Sequence, residues 1–180
     1  MAPVISRRGF VRAGLAGAVV LGGAAVIGRQ LRGYAVDPAT AARLRVLSPK
    51  EYLVMQAVAR RVLAPDAADA PSADAVDTAL AVDAYVAKLP RSIQQEIAAL
   101  LQLVEHGSGW LRLRASRFTR MTAAEQDATL RDWESSSLTL RRRGFQGLRT
   151  LAFVGYWRDD RTWSVIGYTG PMLPQPSRAP

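Results

Sequence analysis

A chain of 180 residues with 49% hydrophobic and 22% charged residues has the size and composition of one globular domain, not of a disordered protein. It contains no cysteine and one histidine, which excludes disulfides, c-type haem attachment, thiolate-held iron–sulfur clusters and a histidine-rich metal centre. The formal net charge is +9, but the first 35 residues hold five arginines and no acid, so the remainder carries only +4. That excess gives no concentrated basic footprint, and we expect no nucleic-acid partner.

The N-terminus carries the pattern of an export signal. Ser6-Arg7-Arg8-Gly9-Phe10 precedes an apolar run, Ala13 to Gly28, that holds five glycines and five alanines. Paired arginines, a Phe two positions after the second and a mildly hydrophobic run are similar to a twin-arginine signal, which the twin-arginine translocase reads as an address. The alternatives are an ordinary secretory signal and a short membrane anchor. We predict a signal or anchor over residues 1–35, and a location in the periplasm or at the outer face of the cytoplasmic membrane.

The sequence is compatible with both removal and retention of this segment. Gly33-Tyr34-Ala35 is a weak match to a cleavage site after Ala35. As a helix, the apolar run would extend about 24 Å, short of a bilayer core of roughly 30 Å, although arginines at both ends could snorkel. The rest of the chain is predicted to be a linker over 36–46, a helical domain over 47–170 and a Pro-rich tail over 171–180.

Two helices are predicted in the first half of the domain. Ser48-Pro49-Lys50-Glu51 is a capping box with proline at the first helical position, and Pro65-Asp66 ends the helix that it starts. The second helix is predicted to start at Ser72 or Asp74 and to run to about Leu89. Its inner face would hold Val76, Leu80 and Ala84.

The segment from Arg91 to Glu105 has the clearest amphipathic pattern of the chain. His106-Gly107 closes it, since glycine suits the left-handed position after a helix end. A Gly-Ser-Gly hinge leads into Trp110–Phe118, where the pattern favours neither a helix nor irregular structure. The apolar residues of the amphipathic segment recur at helical spacing: Ile93, Ile97, Leu100, Leu101 and Val104.

Two more helices complete the prediction. A second capping box, Thr122-Ala123-Ala124-Glu125, predicts a helix to about Trp133, and three serines at 135–137 end it. The last helix is predicted from about Leu138 to Tyr156 or Trp157. There is no alternating strand pattern and no internal repeat. The fold class is therefore predicted as all-α, a compact bundle of four to six helices preceded by the N-terminal signal or anchor helix.

Candidate catalytic groups are few. His106 has no nucleophile or orienting partner in a local motif, and a histidine at a helix C-terminus is explained by the helix dipole. Asp159-Asp160 diverge from each other and are typical of a loop or helix terminus, not of a metal cage. The sequence has no dinucleotide fingerprint, phosphate-binding loop or nucleophile elbow. We predict no catalytic, cofactor-binding or metal-binding residue on this chain and no enzymatic activity of its own.

Two features are candidate partner interfaces. The run Arg141-Arg142-Arg143 is suited to an acidic partner face or anionic lipid headgroups, and alternatively to a solvated helix face balanced by Asp132 and Glu134. The aromatic cluster Tyr156-Trp157, Trp163 and Tyr168 is either core filling or an interface anchor, and Tyr and Trp are enriched in interface hot spots. The candidate aromatic anchors are Trp157, Trp163 and Tyr168.

Several short motifs, taken together, resemble a known family. They are Leu47-Ser48-Pro49-x-Glu51, Met121-Thr122-x-x-Glu125 with Trp133, and Phe145 with Tyr156-Trp157, Trp163 and Gly167-Tyr168-x-Gly170-Pro171. In this order, behind a twin-arginine signal, they are similar to the gluconate 2-dehydrogenase subunit 3 family, the small subunits of membrane-bound flavoprotein dehydrogenases. The Gly-Tyr-x-Gly-Pro ending is the most distinctive piece. The arginine run and the Pro-rich end are not features of the family pattern.

The resemblance implies a non-catalytic subunit. The large partner in such systems is an FAD-bearing dehydrogenase of the glucose-methanol-choline type, usually without its own signal, and a membrane-bound cytochrome c subunit commonly takes the electrons. The small subunit would supply the twin-arginine address and help the flavoprotein to mature and cross the membrane. FAD is then expected on the partner and no cofactor on this chain. This agrees with the residues, since a signal for folded cargo stands on a chain with almost no cofactor ligands.

Two other hypotheses remain from the sequence. One is a stand-alone helical enzyme or ligand binder in the periplasm, which would need a polar-lined pocket. The other is a membrane-tethered helical interaction subunit of an unrelated respiratory or photosynthetic complex. Copurification with a complex that lacks any flavoprotein would favour the second.

Overall fold

A computed structural model describes residues 33–63, 70–107 and 117–170 of the chain. The chain divides into two units, residues 1–35 and residues 36–180, and only 33–35 of the first unit are described. In the described part of the second unit there are six α-helices, two 3-10 helices and no strand, which confirms the all-helical fold. The predicted N-terminal helix and the Pro-rich tail lie outside the described residues.

The α-helices in the described part of the second unit are 6 to 18 residues long. The α-helices are α1 (Pro38–Arg43), α2 (Pro49–Val62), α3 (Thr78–Val86), α4 (Arg91–Gly107), α5 (Ala123–Glu134) and α6 (Thr139–Tyr156), and the 3-10 helices are Phe118–Arg120 and Asp160–Ile166. Helix α1 falls inside the segment predicted as a linker. No helix of the described residues is both long and apolar enough to cross a bilayer.

Helix α2 is the centre of the bundle and packs against α3, α4, α5 and α6. Its predicted capping box is present, because the Ser48 N–H donates to Glu51 Oε2 at 2.8 Å and Ser48 Oγ accepts from the Glu51 N–H at 3.4 Å. The helix ends at Val62, and the predicted stop at Pro65-Asp66 lies outside the described residues. Its buried residues cover most of its circumference: Tyr52, Val54, Met55, Ala57, Val58 and Ala59.

Helix α3 is shorter than the predicted helix over about 72–89. Asp77 adopts a left-handed conformation with φ 50°, which interrupts the helix and leaves 73–77 as turns. The helix ends at Val86, and 87–89 form a turn and a bend. Of the predicted inner face, Val76 and Leu80 are buried and Ala84 is half-buried. The helix is buried on nearly all sides, which explains why its sequence shows no clean apolar stripe.

Helix α4 confirms the amphipathic prediction, but only its C-terminal half reaches the core. Leu101 and Val104 are buried, whereas Ile97 and Leu100 are half-buried and Ile93 is 37% exposed. The predicted stripe therefore extends beyond the surface that α2 and its neighbours cover.

Helices α5 and α6 close the bundle. The second predicted capping box is present, since the Thr122 N–H donates to Glu125 Oε2 at 2.9 Å and Thr122 Oγ1 accepts from the Glu125 N–H at 3.3 Å. Helix α6 crosses α3 so closely that a Cβ on Gly155 would lie 2.7 Å from the carbonyl oxygen of Thr78. The chain then turns into the second 3-10 helix, at whose start the Asp159 side chain accepts a hydrogen bond from the Arg161 N–H at 3.1 Å.

Candidate functional site

The predicted export-signal residues lie outside the described residues. These are Ser6, Arg7, Arg8 and Phe10. The other predicted site residues are all described, and the structure separates them into two places, the start of α6 and the segment after its end.

The arginine run does not form one basic patch. Arg141 Nη1 lies 3.1 Å from Asp132 Oδ2, and the Arg141 side chain is only 16% exposed. Arg142 folds back over the helix start, where its Nη1 donates to the carbonyl oxygen of Ser136. Arg143 is exposed. Two of the three guanidinium groups are thus engaged within the chain.

The aromatic residues after α6 form a connected surface structure, which we call the aromatic turn (residues 157–168). The Trp163 Nε1–H donates to the carbonyl oxygen of Trp157 at 2.9 Å, and the Trp163 and Tyr168 rings meet edge to face with centroids 5.1 Å apart. Trp157 and Trp163 are half-buried, and Tyr168 is 43% exposed. Gly167, with φ 67°, supplies the left-handed residue that reverses the chain before Tyr168.

Aliphatic side chains enlarge the apolar surface of the aromatic turn. Ile166 is 61% exposed and Val165 is 39% exposed. Tyr156 at the end of α6 belongs instead to the core, where its hydroxyl donates to the carbonyl oxygen of Pro71 at 2.7 Å and burial raises its pKa. Both predicted roles therefore occur within this cluster. Tyr156 is part of the core, and the turn after it presents large apolar groups to solvent.

A groove of about 620 Å³ lies next to this turn, between the segment after α1, helix α3 and the end of α6. We call it the basic groove. Its lining residues are Ala42, Arg43, Leu44, Arg45, Val76, Asp77, Leu80, Ala81, Ala84, Gly155, Arg158 and Asp159. It is a feature that the sequence did not suggest, since its three arginines come from two distant parts of the chain.

The segment that carries Arg45 is fixed by a buried acid. Asp83 on α3 is 1% exposed, and its carboxylate accepts hydrogen bonds from the backbone N–H groups of Arg45, Val46 and Leu47 at 2.7, 3.0 and 2.8 Å. Three donors around one carboxylate compensate for taking that charge out of water. The chain entering α2 is consequently held against α3.

His106 takes part in a polar cluster between α2 and α4. Its Nε2 lies 2.8 Å from Lys50 Nζ, and Lys50 also donates to Gln102 Oε1. Burial lowers the pKa of His106, and the nearby Lys50 ammonium lowers it further. The imidazole is therefore held neutral and accepts a hydrogen bond from Lys50. The sequence had instead suggested a charged histidine stabilised by the helix dipole.

Glu105, next to His106, is fully buried and was not singled out by the sequence. Its carboxylate accepts from the backbone N–H of Thr119 at 3.0 Å and from Thr119 Oγ1 at 2.7 Å. Across the described residues, there is no group of three or more His, Cys, Asp or Glu side chains that could hold a metal ion. The one sequence signal for Asp83 and Glu105 is an acid on an otherwise apolar helix face.

The sequence matches one family model. Residues 49–170 match the model described as gluconate 2-dehydrogenase subunit 3. No curated protein and no solved structure gives a significant match. The fold and this match place the chain among the helical subunits of dehydrogenase complexes. The chain belongs to the gluconate 2-dehydrogenase subunit 3 family, as its motifs predicted.

Proposed function

We propose that this chain is the non-catalytic small subunit that escorts and stabilises an exported FAD-dependent dehydrogenase of the glucose-methanol-choline type. It supplies the twin-arginine signal for a large subunit that has none. The assembled enzyme acts in the periplasm or at the outer face of the cytoplasmic membrane, and a membrane-bound cytochrome c subunit takes its electrons.

The observation that carries this proposal is the family match over residues 49–170, which makes the chain a subunit of a dehydrogenase complex. The sequence supports a non-catalytic role, because a chain with no cysteine and one histidine has few groups with which to hold a redox cofactor. The paired Arg7-Arg8 supports export of a folded complex.

The aromatic turn is the surface that we assign to the large subunit. Tyr168, Ile166 and Val165 are exposed on a short element, and Trp163 is held by a hydrogen bond to the chain before it. Large apolar and aromatic groups of this kind anchor protein interfaces because they bury much area with little loss of side-chain entropy. The arginine run contributes less to this surface, since Arg141 and Arg142 have partners within the chain.

The export part of the proposal is tested by changing Arg7 and Arg8 together to lysine. A tagged pull-down from membranes first identifies the flavoprotein, which is then followed by its bound FAD and by immunoblotting of the periplasmic and cytoplasmic fractions. In the R7K/R8K variant the flavoprotein is expected to remain in the cytoplasm. The matched control is Arg29→Lys with Arg32→Lys, which makes the same change outside the motif and leaves export intact. Normal export of the flavoprotein in R7K/R8K contradicts the escort role.

The non-catalytic part is tested on purified subunits. The isolated chain is expected to have no flavin absorbance and no dehydrogenase activity, and the large subunit to lose solubility or FAD without it. A cofactor that stays bound to the isolated chain contradicts this part of the proposal. A pull-down that recovers a complex without any flavoprotein would support the membrane-tethered interaction subunit instead.

A further inference from the structure

The basic groove carries an uncompensated positive charge. Asp77, one of its two acids, pairs with Arg43 at 3.0 Å. Asp159, the other, is held at 2.8 Å by both Nε and Nη2 of Arg161, which also keeps the pKa of its carboxyl below the usual range. Both carboxylates are thus neutralised by neighbours of their own. The two remaining guanidinium groups of the lining, on Arg45 and Arg158, have no side-chain hydrogen bond or ion pair among the described residues.

Apart from its charged residues and Gly155, the groove is lined by aliphatic side chains. Leu80 and Val76 are buried beneath it, and Ala81 and Ala84 leave its floor wide because their side chains are short. Two larger apolar residues are next to lining residues in the sequence: Val46 follows Arg45, and Tyr85 follows Ala84. They are 36% and 39% exposed. An occupant that matches this lining has acidic groups for the two arginines and an apolar group for the aliphatic floor.

The groove is continuous with the aromatic turn. Arg158 and Asp159, which line the groove, follow Trp157 in the same turn. Arg161 then ties the turn to the segment before α3, because its Nη2 donates to the carbonyl oxygen of Ala75 at 3.0 Å. The volume of about 620 Å³ is enough for a few side chains of a peptide.

We propose that the basic groove is a second docking point for the large subunit and binds a segment in which two Asp or Glu side chains flank an apolar one. The two carboxylates pair with Arg45 and Arg158, and the apolar side chain packs on Ala81 and Ala84. This inference rests on the proposed function for the identity of the partner. Asp83 acts as a positioning residue, since it holds the backbone of Arg45 at the groove edge.

The test is a titration of the full chain, purified in detergent, with the purified flavoprotein subunit. The double variant Arg45→Glu with Arg158→Glu is expected to raise the Kd by about tenfold or more, because it places like charges opposite the acidic segment. The matched control is Arg91→Glu with Arg131→Glu, two exposed arginines away from the groove, which should change the Kd by less than about twofold. Ala81→Phe fills the groove without changing charge and should weaken binding as the double variant does.

The titration also distinguishes failure of the proposed function from failure of the groove inference alone. If the wild-type chain does not bind the flavoprotein at all, the proposed function and this inference are both overturned. If the wild-type chain binds and R45E/R158E binds equally well, this inference alone is overturned. A photo-crosslinking amino acid at position 84 should join the chain to an acidic segment of the flavoprotein. A crosslink to a second copy of this chain, or to a segment without acids, would also overturn it.

Discussion

At the scale of single residues, buried acids hold segments of backbone in place. Asp83 binds the chain that enters α2, and Glu105 binds the first 3-10 helix through Thr119. Neither acid has its partner in the same helix, so each joins two elements. The stability of the bundle should therefore depend on these carboxylates more than on its exposed ion pairs.

Replacing Asp83 with alanine should lower the free energy of unfolding by about 3 kcal/mol, because three backbone N–H groups lose a charged acceptor. Urea unfolding followed by circular dichroism measures the change. Asp74→Ala is the control: Asp74 pairs with Arg60 at 2.7 Å where both side chains are about half exposed, and its loss should cost less than about 1 kcal/mol. An equal decrease in the free energy of unfolding for the two variants would show that the buried carboxylate stabilises the fold no more than the exposed one.

His106 should make stability depend on pH in a predictable direction. Its pKa is lowered in the folded state by burial and by Lys50, so the unfolded chain binds the proton more readily. The contribution of neutral His106 to the free energy of unfolding is fully present above the pKa of the unfolded chain, about 6.5. It is lost as the pH falls through the lower pKa of the folded state. Unfolding free energies measured between about pH 7 and pH 5 should decline less steeply for His106→Gln than for the wild type. Parallel curves would refute a neutral, Lys50-bonded imidazole.

At the scale of helices, small residues set how closely α6 approaches its neighbours. Gly155 lies so near α3 that an added Cβ would be 2.7 Å from Thr78 O and 2.8 Å from Val82 Cγ2. Gly155→Ala should destabilise the fold by about 1–3 kcal/mol, because the backbone carbonyl cannot move aside cheaply.

Gly147, two turns earlier on α6, is the matched control for this prediction. A Cβ there meets only Leu100 Cδ2 at 3.6 Å, an ordinary contact, so Gly147→Ala should be neutral or stabilising by up to about 1 kcal/mol. Thermal unfolding of the two variants measures the difference. Destabilisation of the same size in both would mean that close packing at Gly155 is not the cause.

The element-scale predictions succeeded where the signals are local. Both capping boxes are present because their partners lie three residues apart. The predicted start of α3 was wrong because Asp77 adopts a left-handed conformation, which no composition signal around Ser72 or Asp74 reveals. The stripe of α4 was found correctly, but how much of it is covered depends on neighbours, and Ile93 is left exposed.

At the scale of the whole molecule, one end of the bundle gathers the features suited to a partner. The aromatic turn and the basic groove adjoin there, whereas the arginine run lies at the other end of α6, the helix that separates them. We therefore propose that the N-terminal signal serves export and that this end of the bundle docks the partner.

Changing Ile166 and Tyr168 together to serine should weaken binding to the flavoprotein by about tenfold or more, because it removes two exposed interface anchors. The free energy of unfolding should fall by less than about 2 kcal/mol, since Ile166 mostly faces solvent and Tyr168 loses one ring contact with Trp163. Leu138→Ser with Leu140→Ser makes the comparison beside the arginine run, where these residues are 58% and 68% exposed. If that pair weakens binding and the first does not, the interface lies at the start of α6 instead.

The sequence by itself determined the all-helical class, both capping boxes, the amphipathic α4 and the family. These depend on residues within a turn or two of each other or on short ordered motifs, so no tertiary contact is needed to read them. Only the tertiary structure decided that Arg45 and Arg158 share a groove, that Tyr156 is buried while Tyr168 is exposed, and that Asp83 binds backbone 36 to 38 residues away. Such pairings depend on how the helices cross, which the periodicity of each helix alone leaves unspecified.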